Sequence, residues 1–324
     1  MSTMTIAKAI NEGLRTTLRE NPKSLLMGED IGTLGGVYRV TEGLKQEFGA
    51  DRVVDTPLAE AGIIGTAIGL ALRGYQPICE IQFDGFVFPA FNQITTQLAK
   101  IHARSGGQLS APVVIRIPYG GGIGSIEHHS ESPEALFAHT AGLRIITPSN
   151  AHDAYWMIQQ AVASPDPVIV FEPKRRYWLK GEVDTQVQAM DPFQAQVLRT
   201  GTDATIVAYG PLVPVALAAA DAAAQDGHSA EVIDLRSISP IDFDTVTASV
   251  ERTGRLIIAH EAPTFGGIGG EIAARISERC FYALEAPALR VGGFHMPYPV
   301  ARVEEHYLPD IDRVLEALER AMAY

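Results

Sequence analysis

Two cysteines, Cys79 and Cys280, are all that the chain contains. That excludes a disulfide framework, and no Cys/His spacing matches a structural zinc site. Such thiol usage fits a reducing compartment, so a cytoplasmic location is expected. Cys79 lies in the apolar run "PICEIQF" and reads as a small buried thiol. Positive charge is also short. Lys and Arg number 26 against 38 Asp and Glu, for a net charge of -12 and with no concentrated basic stripe, which argues against a nucleic-acid surface. An acidic body suits a basic protein partner instead. Long hydrophobic runs are lacking too. The run near 61–72 is too short to span a bilayer, and the one near 204–220 is broken by Gly210, Pro211 and Pro214, so no membrane partner is expected. The first residues show no signal-peptide pattern. Instead Ile6, Ile10, Leu14 and Leu18 recur at helical spacing, as in an amphipathic helix docked on a core. Neither the phosphate loop G-x-x-x-x-G-K-[ST] nor the nucleophile elbow G-x-S-x-G occurs, which removes two common nucleotide and hydrolase chemistries.

What the chain does have is alternation. Short apolar runs at 24–28, 52–55, 76–83, 112–117, 143–148 and 167–172 are strand candidates. Helical patterns at 5–20, 59–72, 87–104 and 150–163 lie between them. Continuous apolar strands separated by helices predict a parallel sheet covered on both faces. Residues 174–203 break the rhythm and read as a connector with an edge strand, and the cluster Lys174, Arg175 and Arg176 as a solvated loop. From 204 onward the strand–helix alternation resumes to the last helix at 309–322. The expectation is an α/β protein of two doubly wound domains with mainly parallel sheets: residues 1–185, a connector at 186–198, and residues 199–324.

In open α/β sheets sites form beyond the carboxyl ends of the strands. That rule selects the loops "DTPLAE", "FDGFVFPAF", "PYGGGIGSIEHHSESPE" and "HEAPTFGGIGGE". Glu60 opens the run "EAGIIGTAIGLAL", which holds no other charge, with Asp55 or Thr56 as candidate caps. As a first-turn acid it favours the helix dipole. Gly62, Gly65 and Gly69, however, make a flat face on that helix at a cost of roughly 1 kcal/mol each, which points to close packing by another backbone, such as a subunit contact. A carboxyl desolvated at such a contact can exchange a proton with a ligand nitrogen. Phe88 and Phe91 read as core, whereas Phe86, after Gly85 at a strand end, is placed to face a ligand. The run Gly120, Gly121, Gly122 and Gly124 leads to His128 and His129, either of which suits proton work near neutral pH. "SPE" then predicts a helix capped by Ser132. His260 and Glu261, beside a second glycine loop, read as structural.

Taken in order, "GEDIGTLGGVYRVTEGL", "RVVDTPLAEAGIIGTAIGLAL", "EIQFDGFVFPAFNQI", "HHSESPEALFAHTAGLRIITPSN", "DPVIVFEPK", "EVIDLRSISPID" and "TGRLIIAHEAP" resemble the beta subunit of the thiamine-diphosphate-dependent 2-oxo acid dehydrogenases. The resemblance covers nearly the whole chain. It implies a pyrimidine-binding domain followed by a transketolase C-terminal-like domain. It implies that Glu60 hydrogen-bonds the aminopyrimidine of thiamine diphosphate and drives the proton exchange that activates it. Phe86, at a position often tyrosine in relatives, packs on that ring, and Leu58 lines the same pocket. His129 acts near the substrate and in handing the acyl group to lipoamide, whereas His128 has no counterpart. Glu131 stands where glutamine is common. A structural potassium ion in some relatives maps to Val113, Ala161, Val162, Ser164 and Asp166, largely through backbone carbonyls.

The resemblance also implies partners. The family grips the diphosphate and its Mg2+ with a GDG motif and later asparagines, and no GDG occurs here. The chain therefore carries a pyrimidine half-site and needs an alpha subunit, in an alpha2beta2 heterotetramer, to hold the Mg2+ and complete the site. A lipoyl acyltransferase docks through its subunit-binding domain. "VYRVTEGL" and "HHSESPEALFAHTAGL" look closest to the branched-chain subgroup, which makes a branched-chain 2-oxo acid the expected substrate, with pyruvate and acetoin enzymes as alternatives. A non-catalytic scaffold of the same fold is the more remote alternative, disfavoured because Glu60 and His129 are both present.

Overall fold

The computed structural model describes residues 1–324. The first sheet has seven strands. In spatial order they are Ser237–Ser239, Arg144–Ile146, Val168–Pro173, Val114–Tyr119, Gln76–Glu80, Ser24–Gly28 and Val53–Asp55, all parallel except the first. The second sheet runs Leu289–Gly293, Leu256–Pro263, Ala204–Ala208, Ala230–Asp234 and Gln196–Arg199, with only the last antiparallel. Its strands are Ile-, Val- and Ala-rich because helices cover both faces, so the polar alternation of a one-sided sheet is absent.

The predicted helix at the start forms as Ile6–Glu20, with the Thr5 side chain accepting from the Lys8 N–H as its cap. Its apolar stripe lies on the helix Ala151–Ala163. Gly13 sits at the crossing, where a Cβ would come 2.6 Å from the Tyr155 carbonyl oxygen. Two expectations need correcting in this half. Residues 87–104 are helical throughout, but not as one regular α-helix. Asp84–Ala90 is a 3-10 helix holding Pro89, Phe91 and Asn92 are α-helical, Gln93–Gln97 is π-helical, Leu98–Lys100 is 3-10 and Ile101–Arg104 is α-helical. Pro89 removes one backbone donor and its ring disfavours a regular helix through this point. Nor does Ser132 cap the next helix, Glu134–Ala138: Pro133 occupies the cap position, without a side-chain bond.

The two halves share a seam rather than a linker. One hydrophobic cluster runs from Tyr119 and Phe137 of the first to Tyr209 and Leu235 of the second. Polar pairs cross it. Arg236 donates to both carboxylate oxygens of Asp153 at 3.0 and 2.8 Å, Tyr209 donates to Glu134 at 2.7 Å, and Ser149 donates to Asp234. Burial pushes the carboxyls of Glu134 and Asp234 up to about 7. The strand Ser237–Ser239, from the second half, pairs into the first sheet and tightens the seam. In the basic cluster read as solvated, Lys174 is buried and Arg175 and Arg176 are half-buried. Lys174 pairs with Asp84 at 2.5 Å with neither side chain exposed, Arg175 lies 2.9 Å from Glu261, and Arg176 donates to the Pro211 carbonyl. A basic run reads as surface because charges are costly to bury, and here each has an acid or carbonyl that the sequence supplies from far away. No helix is long and apolar enough to cross a membrane.

Candidate functional site

Four neighbouring strands of the first sheet deliver the candidate residues at their carboxyl ends. Ser24–Gly28 leads to Glu29, Val53–Asp55 to Glu60, Gln76–Glu80 to Phe83, Asp84 and Phe86, and Val114–Tyr119 to the glycine loop and His129.

Glu60 is the first residue of the helix Glu60–Leu72, and it is only 7% exposed. The helix has Ala59 at its cap with no side-chain bond, so neither Asp55 nor Thr56 serves as predicted. Asp55 is drawn away to the N–H groups of Gly32 and Thr33 and to Lys45 at 2.8 Å. Near enough to Glu60 to feel its charge is Glu29, a residue that pattern reading passed over. Glu29 is 8% exposed and its Oε1 is buried without a partner. Burial raises its pKa first and the Glu60 charge next, while the Ala59 N–H opposes both. The "GED" motif, an acid at the end of an apolar strand, was the available signal. The charge of one carboxyl therefore bears on the other, and Glu29 keeps an empty acceptor beside it.

Phe86 and His129 do meet. Their rings lie edge to face at 5.2 Å, Phe83 stands 4.4 Å from His129, and His128 stacks obliquely on His129 at 4.3 Å. Gly85 makes this possible, because a Cβ there would come 2.8 Å from the His128 Cβ. The ring of His129 keeps Nδ1 buried and unpartnered, and burial, His128 and Lys174 all depress its pKa. A neutral imidazole with a free nitrogen is a proton acceptor in waiting. Behind it, the buried Asp84, whose carboxyl burial pushes up to about 6, takes the Glu131 N–H at 2.8 Å and ties the residues after His129 to Lys174. The helix Glu60–Leu72 packs along Asp84–Ala90, which in turn packs on the turn bearing His129, so the carboxyl pair and the aromatic cluster share one end of the sheet.

Leu58 stands apart, 82% exposed, packed on none of these groups within the chain. Phe88 is 43% exposed and so is not the core residue expected, whereas Phe91 packs edge-on against Phe137. His260 is fully buried with Nδ1 against the Ala262 carbonyl oxygen, and burial holds its pKa down to about 4, in keeping with a structural role. Val113, Ala161, Val162, Ser164 and Asp166 gather near one turn. The Val113 and Ala161 carbonyls each take one N–H, and the single carboxylate, Asp166, is already paired with Arg144 at 2.8 Å. The turn therefore offers a cation backbone carbonyls and no free carboxylate. No group of three or more His, Cys, Asp or Glu side chains is arranged to hold a metal.

Comparison with known proteins agrees with this architecture. The pyrimidine-binding domain of transketolase matches residues 2–178, and the transketolase C-terminal domain matches residues 194–314. A pyruvate dehydrogenase E1 component subunit beta of Leifsonia xyli subsp. xyli is 61% identical over 324 residues, 100% of this chain and 96% of the relative. A 3-methyl-2-oxobutanoate dehydrogenase subunit beta of Mycobacterium tuberculosis is 52% identical over 98% of this chain and 92% of its own length. Among solved structures, a split-gene transketolase described as an inactive beta4 tetramer shares the fold with a TM-score of 0.81, at 24% identity and covering 99% of this chain and 98% of that one. From domain order, full-length coverage and these identities, the chain belongs to the family of E1 beta subunits of the 2-oxo acid dehydrogenases.

Proposed function

We propose that the chain is the beta half of a thiamine-diphosphate-dependent E1 component. With an alpha subunit it decarboxylates a short 2-oxo acid and passes the acyl group to the lipoyl group of a partner acyltransferase. The observation that carries this reading is the Glu60–Glu29 pair: a buried, uncommitted carboxylate at a helix head, near a second acid with an empty acceptor.

These residues fit the coenzyme. Glu60 is the group to hold its protonatable ring nitrogen, Glu29 stands behind it as a proton reservoir, and the half-buried Phe86 ring offers an apolar wall. Thiamine diphosphate supplies an electron sink for cleavage of the bond beside a ketone. The protein's own task is to desolvate Glu60, to keep His129 neutral with Nδ1 free, and to exclude water. The exposed Leu58 belongs to the same pocket once a partner covers it. The missing GDG and the lack of a clustered metal-binding set support placing the diphosphate and Mg2+ on the alpha subunit. A reducing, cytoplasmic setting suits two buried thiols.

Two substrate readings have support. The segments "VYRVTEGL" and "HHSESPEALFAHTAGL" favour a branched-chain acid. The higher identity to the relative named pyruvate dehydrogenase, 61% against 52%, favours pyruvate, which we place first. Co-purification with an alpha subunit, followed by assay against pyruvate and 3-methyl-2-oxobutanoate, separates them by kcat/KM. Turnover of neither acid by the reconstituted pair, or coenzyme-dependent decarboxylation by this chain alone, overturns the proposal.

A further inference from the structure

The loop that carries His129 is also held by the second domain. The loop leaves the strand Val114–Tyr119, runs through Gly120, Gly121, Gly122 and Gly124, and closes on itself where the Gly120 N–H meets the Glu131 carbonyl at 2.9 Å. Within the closure, His129 N–H reaches Ile126 at 3.0 Å and Ser130 N–H reaches Glu127 at 2.9 Å. These local bonds shape the tip but do not fix where it stands. Asp84 holds the far end of the loop from within the first domain through the Glu131 N–H, and the glycine end is held from across the seam. Glu304, 6% exposed, accepts the Gly122 N–H on Oε1 at 2.8 Å and the Gly124 N–H on Oε2 at 3.0 Å. Tyr298 donates its hydroxyl to the same Oε1 at 2.6 Å, and Glu261 takes the Gly121 N–H. Gly122 has φ near +82°, and a Cβ there would come 2.7 Å from the Arg175 side chain, so the backbone reaches the carboxylate only because no side chain intervenes. Bonds from backbone N–H groups to a carboxylate are the strong class, and a two-oxygen grip fixes direction as well as distance.

We propose that Glu304 is a positioning residue for His129. Its carboxylate registers the glycine loop against the second domain, and so sets the imidazole edge-on to Phe83 and Phe86 with Nδ1 free. The kinetic part of this claim rests on the function proposed above; the structural part does not. Glutamine at 304 keeps the shape but offers one acceptor for two N–H groups, and it turns an amide N–H toward the other.

The test uses the intact heterotetramer with Glu304→Gln, and Tyr298→Phe as a milder second variant that keeps the carboxylate. Amide exchange in residues 120–131 is expected to rise about tenfold in Glu304→Gln and less in Tyr298→Phe, as for loss of one charged hydrogen bond. Acyl transfer to a lipoylated domain is expected to fall about tenfold in kcat, with the 2-oxo acid KM held within about twofold. In a His129→Ala background the same Glu304→Gln change is expected to cost nothing further, because the loop then has no imidazole to place. Unchanged exchange in 120–131, or rate losses that simply multiply with His129→Ala, overturns the proposal. Should Glu304→Gln fail to assemble, Tyr298→Phe must show the same pattern at smaller size, and its absence has the same force. A heterotetramer that turns over no 2-oxo acid sinks the functional reading instead, while the exchange result still decides whether Glu304 holds the loop.

Discussion

Two glycine-rich segments flank the candidate site, and they are resolved in opposite ways. In the stretch Gly120–Gly122 the space where a side chain would stand is already filled by the chain itself. A Cβ on Gly120 would come 2.6 Å from Glu261 Oε1, one on Gly121 would overlap the Tyr298 hydroxyl, and one on Gly122 would strike Arg175. On the helix Glu60–Leu72 a Cβ at Gly65 or Gly69 meets nothing within 4 Å, and one at Gly62 meets only Ala59 at 3.6 Å. The first set is explained by packing inside the fold. The second costs helix propensity with no return within the chain, and its flat face continues to the exposed Leu72. A glycine that fits tightly in the monomer reports on the monomer. One that meets nothing leaves a flat face open to solvent or to another chain.

The sharpest probe of the open helix is the acid at its head. Glu60→Gln keeps the size and burial of the side chain but removes its ability to exchange a proton. Turnover by the assembled enzyme is expected to fall by about 10²–10⁴, with assembly intact. Stopped-turnover assay beside size-exclusion chromatography measures both at once. Near-normal turnover would strip Glu60 of its role and leave its burial unexplained.

The comparison itself breaks if the two glycine sets respond alike. Gly121→Ala forces a methyl group into the Tyr298 hydroxyl and is expected to destabilise the isolated chain by about 2–3 kcal/mol in denaturant unfolding. Gly65→Ala is expected to act in the other direction, stabilising the isolated chain by up to about 1 kcal/mol while weakening its association with the alpha subunit. Destabilisation of the isolated chain by both changes would mean that the open face is packed after all. Tight assembly of Gly65→Ala would mean that it faces only water.

The same contrast explains what could be read in advance. Parallel strands buried on both faces are uninterrupted apolar runs, so Ser24–Gly28 and Val168–Pro173 were legible within a residue or two. Glu60, Phe86 and His129 were legible because each follows such a strand, where the topology gathers them. Features that depend on distant partners were hidden. Lys174–Arg176 looks like surface until Asp84 and Glu261 arrive from elsewhere in the chain. Glu304 sits in "ARVEEHYLP", an unremarkable polar stretch whose meaning lies in two amides far upstream. The strand Ser237–Ser239 is three residues long, too short to carry a periodic signal, and only its pairing defines it.

The smallest expected effect lies at the seam that anchors the closed glycine set. Asp234 is buried against Ser149, and burial pushes its carboxyl up to about 7 from an ordinary 3.8. The folded chain therefore keeps a proton there that the unfolded chain releases at lower pH. Since the folded state binds more protons between those two values, this group's favourable contribution is complete below about pH 4 and is lost as pH rises through about 7. Glu134, also pushed up to about 7 by burial, acts in the same direction beside Tyr209. Asp234→Asn keeps one acceptor, for the Arg236 N–H, and turns an amide N–H toward the Ser149 hydroxyl, which can rotate to accept it; the side chain cannot ionise. Its thermal midpoint should therefore decline less than the native one between pH 5 and 7.5, by about 2 °C for a chain of this length. Glu60→Gln and Gly65→Ala, which leave the seam untouched, should retain the native slope. Parallel curves for the native chain and Asp234→Asn would show that this carboxyl is already ionised in the fold, and that the seam tolerates the charge without it weakening the hold of the second domain on the glycine loop.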